Sequence, residues 1–325
     1  MTRTKTIRLT VILVVLALLC GLFVAMYLWE KSRSDFSSSS RFEMADLVEH
    51  KGTLYRLRGD VDTLLVIGVD QFSETVEDGS YNNNQCADFL LLFIMDHTAK
   101  RCSVIQINRD TVTDVTVLGI GGKKTGVVRQ QITLSHTYGT GEQDSCRNTA
   151  RAISGLFGGL SVDRFICLTM DAVGIINDSV GGVRLTMTED LTAIDPAFRE
   201  GESVLLTSQQ ALSYVRQRSA LADSSNTARM KRQEQYLSAL YAEFLSYVEE
   251  NDGVPFDLMA KLSPYMHSDY SASELERAWE RLSAYERGEF LRQAGSYSTG
   301  EYMEFHLDED ALKEQILDCF YEKVS

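Results

Sequence analysis

The chain has 325 residues, 44% hydrophobic and 24% charged, with only 3 prolines, which excludes collagen-like, low-complexity and disordered classes. Lys and Arg total 32 against 46 Asp and Glu, a net charge of −14. Arg3, Lys5 and Arg8 precede the first acid, so residues 30–325 carry 29 − 46 = −17, and so acidic a domain repels nucleic acid.

Residues 9–29 (LTVILVVLALLCGLFVAMYLW) run 21 positions without a charge, the length that crosses a bilayer as a helix. A cleaved signal peptide has a shorter apolar region, so the segment reads as a retained membrane helix with Tyr27 and Trp29 at the far interface. Arg3, Lys5 and Arg8 place residues 1–8 in the cytoplasm, which puts the rest of the chain outside the cell membrane. Residues 32–41 (SRSDFSSSSR) are a polar spacer, so residues 30–60 read as a tether and lead-in to one extracellular domain at 61–325.

Residues 63–69 (TLLVIGV), 89–95 (FLLLFIM) and 103–107 are short apolar runs of strand length, the pattern of strands buried on both faces of a central sheet. Residues 119–126 (GIGGKKTG) mimic a phosphate loop, but Lys123 stands where the Walker pattern needs glycine and Lys124 breaks GxGxxG, so a hairpin turn is expected. A helix follows at 145–157, with Ile153, Leu156 and Phe157 on one side. Residues 165–170, 172–180 and 183–187 read as strand, helix and strand, with Gly181 and Gly182 in the turn.

A helix at 207–215 opens on a polar cap, and 227–249 is the longest periodic segment, its stripe of Leu237, Leu240, Tyr241, Phe244, Leu245 and Val248 being core. Ser271 and Glu274 form a capping-box pattern before a helix to 285; 302–307 alternates as a strand and 308–321 closes the chain as a helix. The class is α/β with helices flanking a mainly mixed sheet, and no second domain is expected in 250–325.

No GxSxG elbow or HExxH pair occurs, and the five histidines are too scattered to suggest ligands. Six cysteines, five of them outside the membrane segment, include no CxxC, so no zinc site is expected. Cys102 and Cys167 read as buried small hydrophobes, while Cys86 and Cys146 lie near polar loops, where an oxidising exterior would permit a pair, and no connectivity is assigned.

What remains is a set of charges at element ends. Asp70 closes the first apolar run, Asp88 opens the second, and Arg109 with Asp110 follows the third; in open α/β sheets, ligands bind at strand ends that face a crevice. The one basic stretch, Arg216, Arg218, Arg229, Lys231 and Arg232 against Asp223 alone, calls for an anion, and Arg229 and Gln233 share a helix face. Carboxylates that hold Mg²⁺ or Mn²⁺ beside arginines that neutralise phosphate oxygens suit phosphoryl transfer from a diphosphate, and the location outside a membrane favours a lipid-linked donor.

In order along residues 61–245 the chain resembles the LytR-CpsA-Psr family. DTLLVIGVD resembles the family's opening strand and aspartate (Asp70), CADFLLLFIMD its R-S-D-T run (Asp88), and INRDT its I-P-R-D-T. QITLSHTYG resembles K-I-N-x-A-Y-x-Y-G, NDSVGGV the D-x-x-G-G-V turn, LTSQQALSYVRQR the L-x-G-E-Q-A-L-x-Y-V-R-x-R helix, and ARMKRQEQYL the G-R-x-x-R-Q-Q segment. The resemblance implies an α/β fold with an apolar lipid-binding cavity. It also implies a membrane-anchored phosphotransferase that moves a glycopolymer from undecaprenyl diphosphate to peptidoglycan. Carried over, Asp70 and Asp88 hold Mg²⁺ or help to activate the acceptor hydroxyl, while Arg109, Arg216, Arg218, Arg229 and Gln233 bind the diphosphate.

The departures are Cys86 for the Arg and Phe89 for the Thr of R-S-D-T, Asn108 for Pro, and Thr133 for the Asn after K-I. They keep two alternatives open: a non-catalytic ectodomain that binds lipid-linked glycan or wall, and a polyprenyl diphosphate hydrolase.

Overall fold

The computed structural model describes residues 47–72, 81–218, 223, 225–250, 254–300 and 302–324. The expected cytoplasmic tail at 1–8, the expected membrane helix at 9–29 and the expected spacer at 32–41 lie outside them, and among the described residues no helix is long and apolar enough to cross a membrane.

The chain opens with β1 (Leu47–His50) and β2 (Thr53–Leu57), then β3 (Val61–Val69), β4 (Phe89–Asp96), β5 (Arg101–Gln106), and the hairpin β6 (Val112–Leu118) and β7 (Lys124–Gln131). Next come α1 (Gln143–Leu156), β8 (Arg164–Thr169), α2 (Asp171–Ser179), β9 (Val183–Thr186), β10 (Ser203–Leu206), α3 (Ser208–Arg216) and α4 (Asn226–Glu250). The C-terminal part holds α5 (Val254–Leu262), β11 (Met266–Ser268), α6 (Ala272–Leu282), β12 (Glu286–Arg292), β13 (Gly295–Thr299), β14 (Met303–Leu307), α7 (Glu309–Phe320) and β15 (Tyr321–Lys323).

Six strands form the central sheet in the order β11-β8-β3-β4-β5-β12. It is mixed: β3 runs parallel to β8 and antiparallel to β4, and β12 runs parallel to β5. Both edges therefore come from residues after 250, and the C-terminal stretch completes the sheet. β12 (ERGEFLR) shows no apolar run, so its sequence did not announce a strand. It reaches β5 through Gly288, where an added Cβ would sit 2.2 Å from Ser103 Oγ and 2.9 Å from the Cys102 carbonyl.

Strand register sorts the apolar runs into two faces. Leu65 stands opposite Leu92 and Phe165, and Ile67 opposite Leu90 and Cys167, so these side chains share one face. That face is filled by Ala150, Ile153, Ile316, Leu317 and Phe320 from α1 and α7, with Leu65 and Ile67 fully buried. Val66, Gly68, Phe89, Leu91, Phe93 and Leu168 lie on the other face, which is covered by α2, α3 and α4 but not filled. The expectation of strands buried on both faces is thus corrected on this face: Val66, Phe89, Phe93 and Leu168 are only partly buried, although Leu91 and Met95 are buried.

Local chemistry sets the helix starts. Thr207 and Gln210 form a reciprocal capping box at α3, as Ser271 and Glu274 do at α6, which ends at Leu282 rather than 285. Residues 119–123 make the hairpin turn between β6 and β7, while Lys124, Thr125 and Gly126 already belong to β7. Asn177, fully buried, ties the Gly181–Gly182 turn to the start of α3 by donating to the Leu206 carbonyl at 2.8 Å and accepting from Val183 N at 3.2 Å. The lead-in at 47–57 is ordered into β1 and β2, which pair with each other, and β2 pairs in turn with β15 from the other end of the domain.

Candidate functional site

The sheet brings the two aspartates together. Gly68 of β3 pairs with Phe89 of β4, so Asp70, just past β3, and Asp88, just before β4, emerge at the same end. Ile107 N donates to the Leu90 carbonyl at 3.0 Å, which carries Arg109 to that end as well. From above, α3 delivers Arg216 and Arg218 at its C-terminus, and the first turns of α4 deliver Arg229 and Gln233. All seven candidates line one pocket of about 620 Å³, joined by Met170, Val215 and Gln217.

Charges inside the pocket alternate. Arg109 Nη1 pairs with Asp88, Arg216 Nη2 with Asp70 at 3.1 Å, and Arg109 Nε lies 3.5 Å from Asp110. Burial first, then Arg218, pulls the Arg229 pKa down to about 10, so the guanidinium is still cationic at neutral pH. Its Nε is buried without a hydrogen bond, a donor left over for an anionic ligand. Gln233 is held on both sides: its Oε1 accepts from Gln106 at 3.0 Å and its Nε2 donates to the Val215 carbonyl at 3.2 Å, which leaves one amide hydrogen for the pocket.

Asp110 and Arg232, part of the charge set seen in the sequence, turn out to be supporting groups, and Asn226 and Tyr297 join them with no signal in the sequence. Asp110 is buried, which raises its carboxyl pKa against the pull of Arg109, Arg218 and Arg229. Arg232 is not a solvated charge: it is buried and donates to the carbonyls of Tyr214, at 3.1 Å, and Gln217, clamping the segment that presents Arg216 and Arg218. An amide relay aims Arg229. Its Nη2 donates to Asn226 Oδ1 at 2.6 Å, Asn226 Nδ2 donates to Asn108 Oδ1 at 2.8 Å, and Asn108 Nδ2 donates to Tyr297 Oη at 2.6 Å. Asn108, which replaces the proline of I-P-R-D-T, anchors this relay, but no local pattern links it to Asn226 or Tyr297.

Two of the other departures are placed too. Phe89 lines the hollow behind the pocket, while Cys86 is partly buried and its thiol pKa is pushed up by burial and by Asp88. Cys86 and Cys146 are both free thiols, and Cys146 is buried in the core rather than set in a polar loop. His136, Cys146 and Cys167, far apart in sequence, meet in the core with their ligand atoms within 4.8 Å, so that histidine is not isolated.

The hollow on the second face of the sheet is an apolar cavity of about 230 Å³ between β3, β4, β8 and helices α2 to α4. It shares Met170, Val215 and Gln233 with the charged pocket, so the two compartments are contiguous.

Comparison with known proteins gives a consistent picture. A profile of the LytR_cpsA_psr family matches residues 29–314. A polyisoprenyl-teichoic acid–peptidoglycan teichoic acid transferase, TagU of Bacillus licheniformis, is 25% identical over 243 residues, covering 70% of this chain and 69% of its own length. Protein gbs0355 of Streptococcus agalactiae superposes with a TM-score of 0.65 at 17% identity, covering 82% of this chain and 91% of that one. TagT bound to LIIa-WTA superposes with a TM-score of 0.61 at 18% identity, covering 80% and 90%. At these identities the two structures bear on the fold.

Proposed function

The chain belongs to the LytR-CpsA-Psr family, and on that footing we propose that it transfers a glycopolymer from an undecaprenyl diphosphate carrier to peptidoglycan, leaving a phosphodiester. The observation that carries this reading is the junction of a cationic pocket with an apolar cavity through Met170, Val215 and Gln233. Such a pair of compartments matches a ligand with a charged head and a hydrocarbon tail. The named activity of the TagU relative supports the same reaction class.

In this reading Arg109, Arg216, Arg218 and Arg229 cancel the charge on the diphosphate oxygens, and Gln233 gives its free amide hydrogen to one of them. The acceptor hydroxyl oxygen bonds to the phosphorus that carries the glycan, and the bond from that phosphorus to the lipid phosphate breaks. The hydroxyl proton passes to Asp70 or Asp88, and polyprenyl phosphate leaves. Asp70 and Asp88 are hard oxygen donors lining the pocket, and they would hold Mg²⁺ or Mn²⁺. A bound ion there supplies neutralisation of the charge that builds up as the phosphoryl group moves. Residues 9–29 would hold the chain in the membrane with the domain outside, beside a lipid-borne donor.

The test is to incubate the full chain in detergent with a polyprenyl diphosphate glycan, Mg²⁺ and peptidoglycan fragments, reading products by mass spectrometry. A glycan-phosphate-peptidoglycan adduct is expected. Lipid phosphate released without an adduct would make the protein a hydrolase, and tight binding without any product would make it a binding module.

A further inference from the structure

On the filled face of the sheet, away from the pocket, lies a cluster that the proposed reaction does not use. His136 comes from the turn before α1, Cys146 from the first turn of α1 and Cys167 from the middle of β8, and all three are fully buried. His136 Nε2 lies 3.8 Å from Cys146 Sγ and 3.9 Å from Cys167 Sγ, and all three ligand atoms lie within 4.8 Å of one another. With zinc–sulfur and zinc–nitrogen bonds of about 2.3 and 2.0 Å, ligand atoms round a tetrahedral ion stand roughly 3.5–3.8 Å apart, close to this spacing.

A second observation fixes the histidine for ligation. His136 Nδ1 lies 3.1 Å from the Gln85 carbonyl oxygen, which can only accept, so the ring proton sits on Nδ1 and the Nε2 lone pair faces the two sulfurs. This is the outer hydrogen bond that orients metal-bound imidazoles. As bare thiols only one S–H can donate to the ring nitrogen, and the other is left with the neighbouring sulfur, a weak acceptor. Thr169, two residues beyond Cys167 on the same side of β8, also has a buried hydroxyl with no hydrogen-bond partner.

We propose that His136, Cys146 and Cys167 bind one soft d¹⁰ cation, with Zn²⁺ the expected ion. On binding, two S–H bonds break, two metal–thiolate bonds form and two protons leave to solvent. Two thiolates with a neutral imidazole cancel a divalent charge, so the apolar layer stays neutral, whereas Cu⁺ on the same three ligands leaves one negative charge there. The site braces α1 and its lead-in turn against β8, a structural role separate from the reacting groups.

The chain is purified whole in detergent without chelator and its metal content is measured by mass spectrometry. One Zn²⁺ per chain is expected, released on unfolding in guanidinium to a metallochromic dye, together with two thiols that were protected in the folded chain. Cys146→Ser and Cys167→Ser are expected to lose the ion. Because both substitutions disturb the core, a second measurement uses the unaltered sequence, refolded with Co²⁺ in one arm and with Cu⁺ under reducing conditions in another. Thiolate-to-cobalt charge-transfer absorption, or stoichiometric Cu⁺, supports the site and distinguishes the two ions. A Cys146–Cys167 disulfide, seen as a chain lighter by two hydrogens, overturns the proposal, as does a folded chain that takes up no metal in any arm.

Discussion

The two faces of the central sheet are built from the same residue types and do opposite things. Leu65, Ile67, Leu90 and Leu92 point into a layer closed by α1 and α7. Val66, Leu91 and Phe93, one residue along on the same strands, look with Leu168 of β8 into a cavity of about 230 Å³ that opens on the charged pocket. Both faces are apolar; what differs is whether the covering helices deliver side chains that fill the space. On the filled face hydrophobic burial is spent on stability, whereas on the hollow face part of it is withheld, leaving apolar walls that a hydrocarbon ligand can cover.

The contrast can be broken or sharpened by substitution. The largest effect is expected on the filled face: Ile67→Ala should lower unfolding free energy by about 2–5 kcal/mol, because the surrounding layer cannot collapse fully onto the void. A change under ~1 kcal/mol in chemical denaturation would mean that this face is not the tightly packed one. Next comes the polar end of the hollow face. Arg229→Ala should reduce turnover by roughly 10²–10³-fold while the folded chain retains its circular dichroism spectrum, and a variant turning over at the normal rate would remove Arg229 from the diphosphate site.

A smaller effect is expected from filling the hollow. Ala172→Phe should weaken binding of a polyprenyl ligand about 10-fold in a titration, since a few lost methylene contacts account for that much, while a short-chain diphosphate binds unchanged. Equal weakening for both ligands would show that the tail does not lie in this cavity. Val66→Ala, which trims a wall already facing open space, should shift unfolding by less than ~1 kcal/mol, well below the matched change at Ile67.

The smallest effect is electrostatic. Burial raises the Asp110 pKa, so the folded state holds that proton more tightly than the unfolded chain. Its contribution favours folding at low pH and is lost as pH rises through the carboxylate range. Stability of the wild type relative to Asp110→Asn should therefore decline across that window; a flat difference would mean the arginines fully offset the burial.

How much of this was readable depended on where the information lay. Asp70 and Asp88 were visible because a charge directly at the end of an apolar run has few reasons to be there, and the arginines because they interrupt an acidic chain. The relay behind Arg229 was not, since Tyr297 and Asn108 are brought together only by the packing of β13 near the end of β5. β12 escaped notice because an edge strand with a bulge between Arg287 and Phe290 keeps no regular period. The hollow itself leaves no mark in sequence: a leucine that fills a core and one that lines a cavity are written identically.

One pairing bears on how such a chain is made. β2 at Thr53–Leu57 is held by β15 at Tyr321–Lys323, and the sheet edges β11 and β12 also come from the last third of the chain. The segments emerging first must therefore wait for the last ones before the domain can close. Contacts of such long sequence separation form slowly, so the domain stays open until the strands after residue 260 have been made.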